Sequence, residues 1–162
     1  MKGHAVAAVV WLGLVGGGYL LFQQMTRPTV AHSCDRADGI DEVTVPVSPD
    51  GHFYVDGAVN GAPVRFLVDT GASYVTLGVA AANDARLDGG VAARFDTAGG
   101  AVEGRIFRDQ VVKADCLEVS GATVALDPLL GEGALLGQNF LRHFEIVQRD
   151  RQLVLRRHPT GR

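Results

Sequence analysis

The sequence predicts an all-β domain with one or two short helices, preceded by one transmembrane helix at the N-terminus. Three observations support this prediction: short alternating segments separated by turn residues, 21 glycines with few aromatic residues, and one uncharged N-terminal run. Glycine-rich turns between short apolar segments favour strands over long helices. With 162 residues, 47% of them hydrophobic, the chain can form one domain of ordinary size plus a tail.

The N-terminal segment carries no charge from Ala5 to Phe22. As a helix, this segment would span about 27 Å, which is close to the thickness of a bilayer core. A cleaved signal peptide usually has a shorter apolar region with a small-residue site directly after it, whereas Phe22 is followed by two glutamines. This pattern favours a retained anchor over residues 1–22. Lys2 favours a cytoplasmic amino end, with the bulk of the chain outside.

Residues 23–50 have the composition of a linker, because three prolines and a polar run from Ser33 to Gly39 interrupt the apolar pattern. Only residues 43–47 alternate like a short strand. We therefore predict that the folded domain covers residues 51–158.

The domain begins with a predicted hairpin, because residues 52–59 and 62–68 flank Asn60-Gly61, the strongest short-range hairpin signal. One short helix is predicted over residues 79–87, ended by Gly89-Gly90. Residues 111–119 and 122–126 are predicted to be two strands joined by a turn at Ser120-Gly121. A final hairpin is predicted from residues 144–148 and 153–157.

The second strand of the first hairpin leads into Asp69, which is followed by Thr70, Gly71, Ala72 and Ser73. An Asp at the end of a buried strand is costly to ionise unless several donors converge on it. Two hydroxyls and a flexible glycine backbone can supply such donors. The alternative is an Asx-turn that closes a hairpin. The Asp-Thr-Gly motif occurs once in the chain.

Two further segments contain glycines in notable places. A Gly-Gly pair between alternating segments predicts a mobile hairpin, whose tip comprises Thr97, Ala98, Gly99, Gly100 and Ala101. Downstream, an apolar run through Leu136 reaches Gly137, which opens a short helical turn.

The two cysteines, Cys34 and Cys116, could form a disulfide in an oxidising compartment or remain independent thiols. The five histidines are scattered and do not have the spacing of a metal site. A net charge of −3 gives no electrostatic footprint for nucleic acid. We expect neither a metal, a cofactor nor a nucleic-acid partner.

These segments together resemble the retropepsin-like aspartic proteases, and specifically their small, membrane-anchored bacterial branch. The resemblance rests on Asp-Thr-Gly-Ala-Ser at residues 69–73, the Gly-bearing hairpin near residues 97–100 and the Leu-Leu-Gly-x-Asn element at residues 135–139. Their order and separation also fit, and the resemblance covers residues 51–157. It implies a small, closed-barrel-like acid-protease domain.

The resemblance also implies a mechanism. Hydrolysis by water needs one group that accepts a proton from the water and another that donates one to the carbonyl oxygen. Two aspartates a few Å apart do both by sharing a proton. A single motif therefore implies a symmetric homodimer in which Asp69 meets Asp69 of a second copy.

The roles of the neighbouring residues follow from the same resemblance. Thr70 would hydrogen-bond across the two-fold axis, Gly71 would give the tight turn, and Ser73 would orient the carboxylate. Leu136 and Gly137 would pack beneath the Asp69 turn, with Ala72 in the same loop. The hairpin of residues 97–101 would form the flap that closes over an extended peptide.

The leading hypothesis is an aspartic endopeptidase in the bacterial inner membrane, crossing it once, with its protease domain in the periplasm. Its expected partners are a second copy of itself, a peptide or protein substrate, and the membrane. The alternative is a catalytically silent member of the fold that binds peptides or scaffolds a partner at the membrane. A β domain without any site is a third hypothesis, which leaves the ordered motifs unexplained.

Overall fold

The structure is a computed structural model that describes residues 11, 15–17, 33–37, 40–97 and 99–158. Most of the predicted anchor, the first part of the predicted linker and Ala98 lie outside these residues. Within the described ranges, no helix is both long enough and apolar enough to cross a membrane.

From residue 33 onward, the described chain contains eleven strands, two short α-helices and one 3₁₀ turn at Pro128–Leu130. The helices are α1 (Val79–Asp84) and α2 (Gln138–Leu141). The strands are β1 (Ser33–Ala37), β2 (Ile40–Pro46), β3 (Tyr54–Val59), β4 (Ala62–Val68), β5 (Val75–Leu77), β6 (Val91–Thr97), β7 (Gly100–Ala114), β8 (Leu117–Leu126), β9 (Ala134–Leu136), β10 (Phe144–Arg149) and β11 (Gln152–Arg157).

Six strands form a closed barrel in the order β3-β4-β9-β5-β8-β7, and the pairing of β3 with β7 closes it. Most neighbours are antiparallel, while β4 pairs with β9 and β5 pairs with β8 in parallel. The strand β6 extends the sheet beyond β7. The predicted all-β, barrel-like domain with short helices is therefore confirmed.

The predicted hairpin at the start of the barrel is also confirmed, since β3 and β4 pair along their whole length. Asn60 and Gly61 have φ angles of 51° and 83°. Positive φ at both central positions is what a type I′ turn requires, and its twist matches that of the flanking strands.

A second sheet, in the order β1-β2-β11-β10, contains residues that the sequence assigned to the linker. Val43 and Val45 on β2 pair with Leu155 and Leu153 on β11, and all four side chains are buried. The linker prediction is therefore wrong for β1 and β2, which belong to the folded unit. The pairing partner of β2 is β11, at the far end of the chain, so the local composition could not predict that the two strands pair.

The predicted turn at Ser120-Gly121 is also wrong. The strand β7 continues to Ala114, and the chain turns at Asp115 and Cys116, where Asp115 has φ 51°. Ser120 and Gly121 instead lie inside β8, where the register shifts between the pairs Gln110–Ala122 and Val112–Val119. Gly121 has φ 72°, which glycine adopts readily, so the pair forms a β-bulge instead of a turn.

Cys116, in the β7–β8 turn, is disulfide-bonded. The only other cysteine in the sequence is Cys34 on β1, whose backbone pairs with Val43. The side chain of Cys34 lies outside what the structure describes, so a bridge between these two cysteines remains a prediction.

We predict that Val43→Ala lowers the free energy of unfolding by about 2 kcal/mol, because it removes two buried methyl groups from the core. The measurement is the urea unfolding midpoint of the full chain. Val147→Ala on β10 is the matched control, because Val147 is 43% exposed and Val43 is fully buried. Equal stability of Val43→Ala and Val147→Ala would show that β2 lies outside the folded unit.

Candidate active site

Asp69 follows the last residue of β4 and is held there by β9. Val68 pairs with Leu136 in the parallel β4–β9 ladder, and the Asp69 N–H donates to the Leu136 carbonyl oxygen at 3.2 Å. Phe66, two residues before Val68, is fully buried in the core. The carboxylate is half-buried at the edge of the barrel. The backbone that carries Asp69 is thus fixed by its pairing with β9 and by the buried side chain of Phe66 on the same strand.

The turn that follows stabilises the carboxylate locally. The Gly71 N–H donates to Asp69 Oδ1 at 2.9 Å, and the Ala72 N–H donates to the Asp69 carbonyl oxygen at 3.3 Å. This is the Asx-type capping named as the alternative, but it does not close a β4–β5 hairpin. Instead β9 lies between β4 and β5. The local capping of the Asp69 carboxylate is therefore compatible with a functional site at the edge of the barrel.

The backbone after Leu136 passes directly against the Asp69 turn. The Gln138 N–H donates to the Ala72 carbonyl oxygen at 2.8 Å, and the Asn139 N–H donates to the Ser73 carbonyl oxygen at 3.1 Å. A Cβ added to Gly137 would lie 2.2 Å from the Tyr74 carbonyl oxygen and 2.8 Å from that of Ala72. Only glycine permits this approach. Leu136 and Gly137 therefore lie directly against the Asp69 turn.

Two amide side chains connect these segments further, and neither had a role predicted from the sequence. Asn139 accepts from the Val75 N–H at 2.7 Å and donates to the Thr123 carbonyl oxygen at 2.6 Å. Gln138 Nε2 donates to the Thr70 carbonyl oxygen at 3.0 Å. The polar residue types directly after Leu-Leu-Gly were the available sequence signal. Their hydrogen-bond partners can be identified only from the folded structure.

The predicted flap is the β6–β7 hairpin, which pairs from Val91–Ile106 to Thr97–Gly100. The Thr97 hydroxyl donates to the Gly100 carbonyl oxygen at 2.7 Å, and Gly100 has φ 111°. Gly99 lies in the exposed turn, and Ala101 is the second residue of the return strand β7. The hairpin around the Gly-Gly pair is confirmed as structure, while its closing over a peptide remains a prediction.

A cleft of about 580 Å³ lies between the Asp69 turn and the flap. The turn contributes Asp69, Gly71, Ala72, Ser73 and Tyr74, and the flap contributes residues 94–97. The structure therefore brings the predicted catalytic residue, three of its supporting residues and Thr97 to one cleft.

Phe95 and Tyr74 form an aromatic contact between the flap and the wall of the cleft, which was not predicted from the sequence. Their ring centroids are 6.4 Å apart and their planes are inclined at 67°, an edge-to-face geometry. Phe95 also lies against Gly104 on β7, where a Cβ would come within 2.9 Å of the ring. The alternation of β6 was the signal that could have placed Phe95 on the inner face.

Acidic groups outnumber basic groups in the cleft, where Asp69, Asp96 and Asp127 accompany Arg94. Asp127 Oδ1 accepts from the Leu129 N–H at 2.8 Å and so caps the 3₁₀ turn. Within the described ranges, no group of three or more His, Cys, Asp or Glu side chains could hold a metal ion.

Comparisons with known proteins find a matching family model and a protein of similar structure. The family model of the gag-polyprotein putative aspartyl protease matches residues 55–143, more than half of the 162-residue chain. A retropepsin-like aspartic protease from Rickettsia conorii has a similar structure, with a TM-score of 0.63 and 26% sequence identity, covering 78% of this chain and 95% of that chain.

A curated relative is an uncharacterised protein of Rickettsia prowazekii (strain Madrid E). It is 45% identical over 38 residues, which are 24% of this chain and 16% of the relative. The match therefore spans about one sixth of that protein's length.

We predict that Gly137→Ala destabilises the fold by about 3 kcal/mol, because the new Cβ would overlap backbone carbonyls that cannot move independently. Urea unfolding of the full chain provides the measurement. Gly99→Ala is the control, since the nearest atom to its Cβ would be the Thr97 hydroxyl at 3.7 Å. If Gly137→Ala were as stable as Gly99→Ala, the close crossing beneath the Asp69 turn would be wrong.

Proposed function

We propose an aspartic endopeptidase activity for this chain, which belongs to the retropepsin-like aspartic protease family. The single observation that carries the proposal is the position of Asp69. Its carboxylate is capped by the Gly71 N–H, its backbone is fixed by Leu136, and it faces a cleft beneath a hairpin. An activated water could attack a peptide bond of an extended peptide bound in that cleft.

The chemistry requires a second carboxylate close to the first. One group must accept a proton from the water while the other donates to the peptide carbonyl oxygen. The sequence has one Asp-Thr-Gly motif, so we propose that Asp69 of a second copy supplies the other group across a two-fold axis. Two carboxylates at short distance share one proton, because both cannot ionise freely.

The neighbouring residues would support this pair. Thr70 is exposed at the tip of the turn, which suits a hydrogen bond to the second copy. Gly71 and Ala72 hold the turn through their N–H groups, and Ser73 lines the same cleft as Asp69, where its hydroxyl would orient the carboxylate. The β6–β7 hairpin would close over the peptide, exclude water and pair with the main chain of the peptide.

We further propose that residues 1–22 anchor the enzyme in a bacterial inner membrane with its domain in the periplasm. Two observations support this placement: the uncharged segment of residues 5–22 and the disulfide-bonded state of Cys116. Disulfides persist in oxidising compartments such as the periplasm and are rare in the cytosol.

We predict that the full chain cleaves members of a degenerate peptide library and that Asp69→Asn lowers kcat/KM about 1,000-fold, because it removes the general acid–base group. Mass spectrometry of the products, from acidic to neutral pH, is the measurement. Asp150→Asn is the matched control, because Asp150 lies in the exposed β10–β11 turn with φ 51°, a conformation that Asn tolerates.

Two results would contradict the proposed activity. One is equal cleavage by wild type and Asp69→Asn. The other is binding of peptides without cleavage at any concentration, which would favour the catalytically silent alternative.

A further inference from the structure

A second cavity, of about 550 Å³, lies beside the active-site cleft. We call it the basic cavity, and its lining is Ser73, Tyr74, residues 119–123, Gln138, Asn139, Arg142 and His143. Ser73 and Tyr74 line both spaces. The two spaces therefore adjoin at these two residues.

The walls of the basic cavity are fixed to one another. Asn139 bonds to the backbone of Val75 on one side and to that of Thr123 on the other. The bulge at Ser120-Gly121 forms part of the β8 wall. Bulges of this kind redirect side chains beside functional sites. The cavity is thus a preformed feature built from three segments.

The charges of the two spaces are opposite in sign. The cleft is lined by Asp69, Asp96 and Asp127 with one arginine. Among the described residues that line the basic cavity there is no Asp or Glu, while Arg142 and His143 both lie there with exposed side chains.

The position of the two basic side chains is set by α2. The Arg142 N–H donates to the Gln138 carbonyl oxygen at 2.9 Å, and the His143 N–H donates to that of Phe140 at 3.1 Å. The His143 ring lies edge-on to Phe144, with centroids 6.5 Å apart. Together with the hydroxyls of Ser120 and Thr123, these groups offer hydrogen-bond donors to an anion.

We propose that the basic cavity receives a Glu or Asp side chain of the peptide substrate, a few residues away from the bond that Asp69 cleaves. This inference rests on the proposed peptidase function and specifies its substrate. An extended peptide advances about 3.3 Å per residue, with alternate side chains on the same face. A peptide that passes Ser73 and Tyr74 can therefore place one side chain against Arg142 and His143.

The test uses pairs of cleavable peptides that differ by Glu or Gln at one position, with that position moved along both sides of the scissile bond. With the full chain, we expect one position at which Glu raises kcat/KM roughly fivefold over Gln, the size expected for an exposed ion pair. The effect should lie in KM and shrink in 1 M salt.

Substitution of both basic residues, Arg142→Gln with His143→Gln, should reduce the Glu-to-Gln ratio to about one, because the variant lacks the Arg142 guanidinium and the His143 ring. Arg149→Gln is the matched control for charge. It removes one exposed arginine at the end of β10, and the ratio should be kept. A ratio near one at every position in wild type, or a ratio that persists in the double variant, would overturn the inference.

A binding measurement separates this inference from the proposed activity. The affinity of each peptide pair for Asp69→Asn is measured by fluorescence anisotropy. If wild type cleaves nothing but Glu peptides bind more tightly through Arg142 and His143, the proposed activity fails and the acidic subsite stands. If the affinities of each pair are equal, the subsite fails whatever the activity. If the double variant instead loses a dimer in sedimentation, the second copy occupies the cavity and the inference is wrong.

Discussion

The passage of Leu136 and Gly137 between the Asp69 turn and β5 is the constraint on which the site depends. On one side, β9 pairs in parallel with β4, and the Leu136 carbonyl oxygen accepts from the Asp69 N–H. On the other side it pairs with β5. The missing side chain of Gly137 permits the contact with the carbonyls of Ala72 and Tyr74. A carboxylate at the edge of the barrel is thereby held on a rigid backbone, as precise catalytic geometry requires.

This arrangement also explains the layout around the cleft. The same crossing brings Gln138 and Asn139 against the turn, and the Asn139 side chain links β5 to β8. The flap approaches from the opposite side, where Phe95 meets Tyr74. The segment after Leu136, the strand β8 and the flap thus surround the cleft although they are distant in sequence. Each of them directly contacts residues 70–75.

The sequence predicted those parts of the fold and site that depend on local chemistry. Asn60-Gly61 specifies its turn because both residues adopt positive φ. The Asp-Thr-Gly and Leu-Leu-Gly segments can be recognised from their residue types and from the number of residues between them. The rest depends on partners that local patterns do not specify. The pairing of β2 with β11 joins the two ends of the domain.

The bulge at Ser120-Gly121 shows a second limit of local patterns. A Ser-Gly pair is equally compatible with a turn and with a bulge that adds one residue to a strand, and the register with β7 decides between them. The contact between Phe95 and Tyr74 escaped prediction for the same reason, because it depends on how the flap folds back over the cleft.

The central claim is that Asp69 works as one half of a pair supplied by two copies of the chain. The most direct test mixes wild type with Asp69→Asn at constant total concentration and measures peptide cleavage after the subunits have exchanged. If two copies share the site, activity follows the square of the wild-type fraction, so an equal mixture retains about one quarter of the activity. A loss that is linear in the wild-type fraction, with one half retained, would show that each chain acts alone and would contradict the claim.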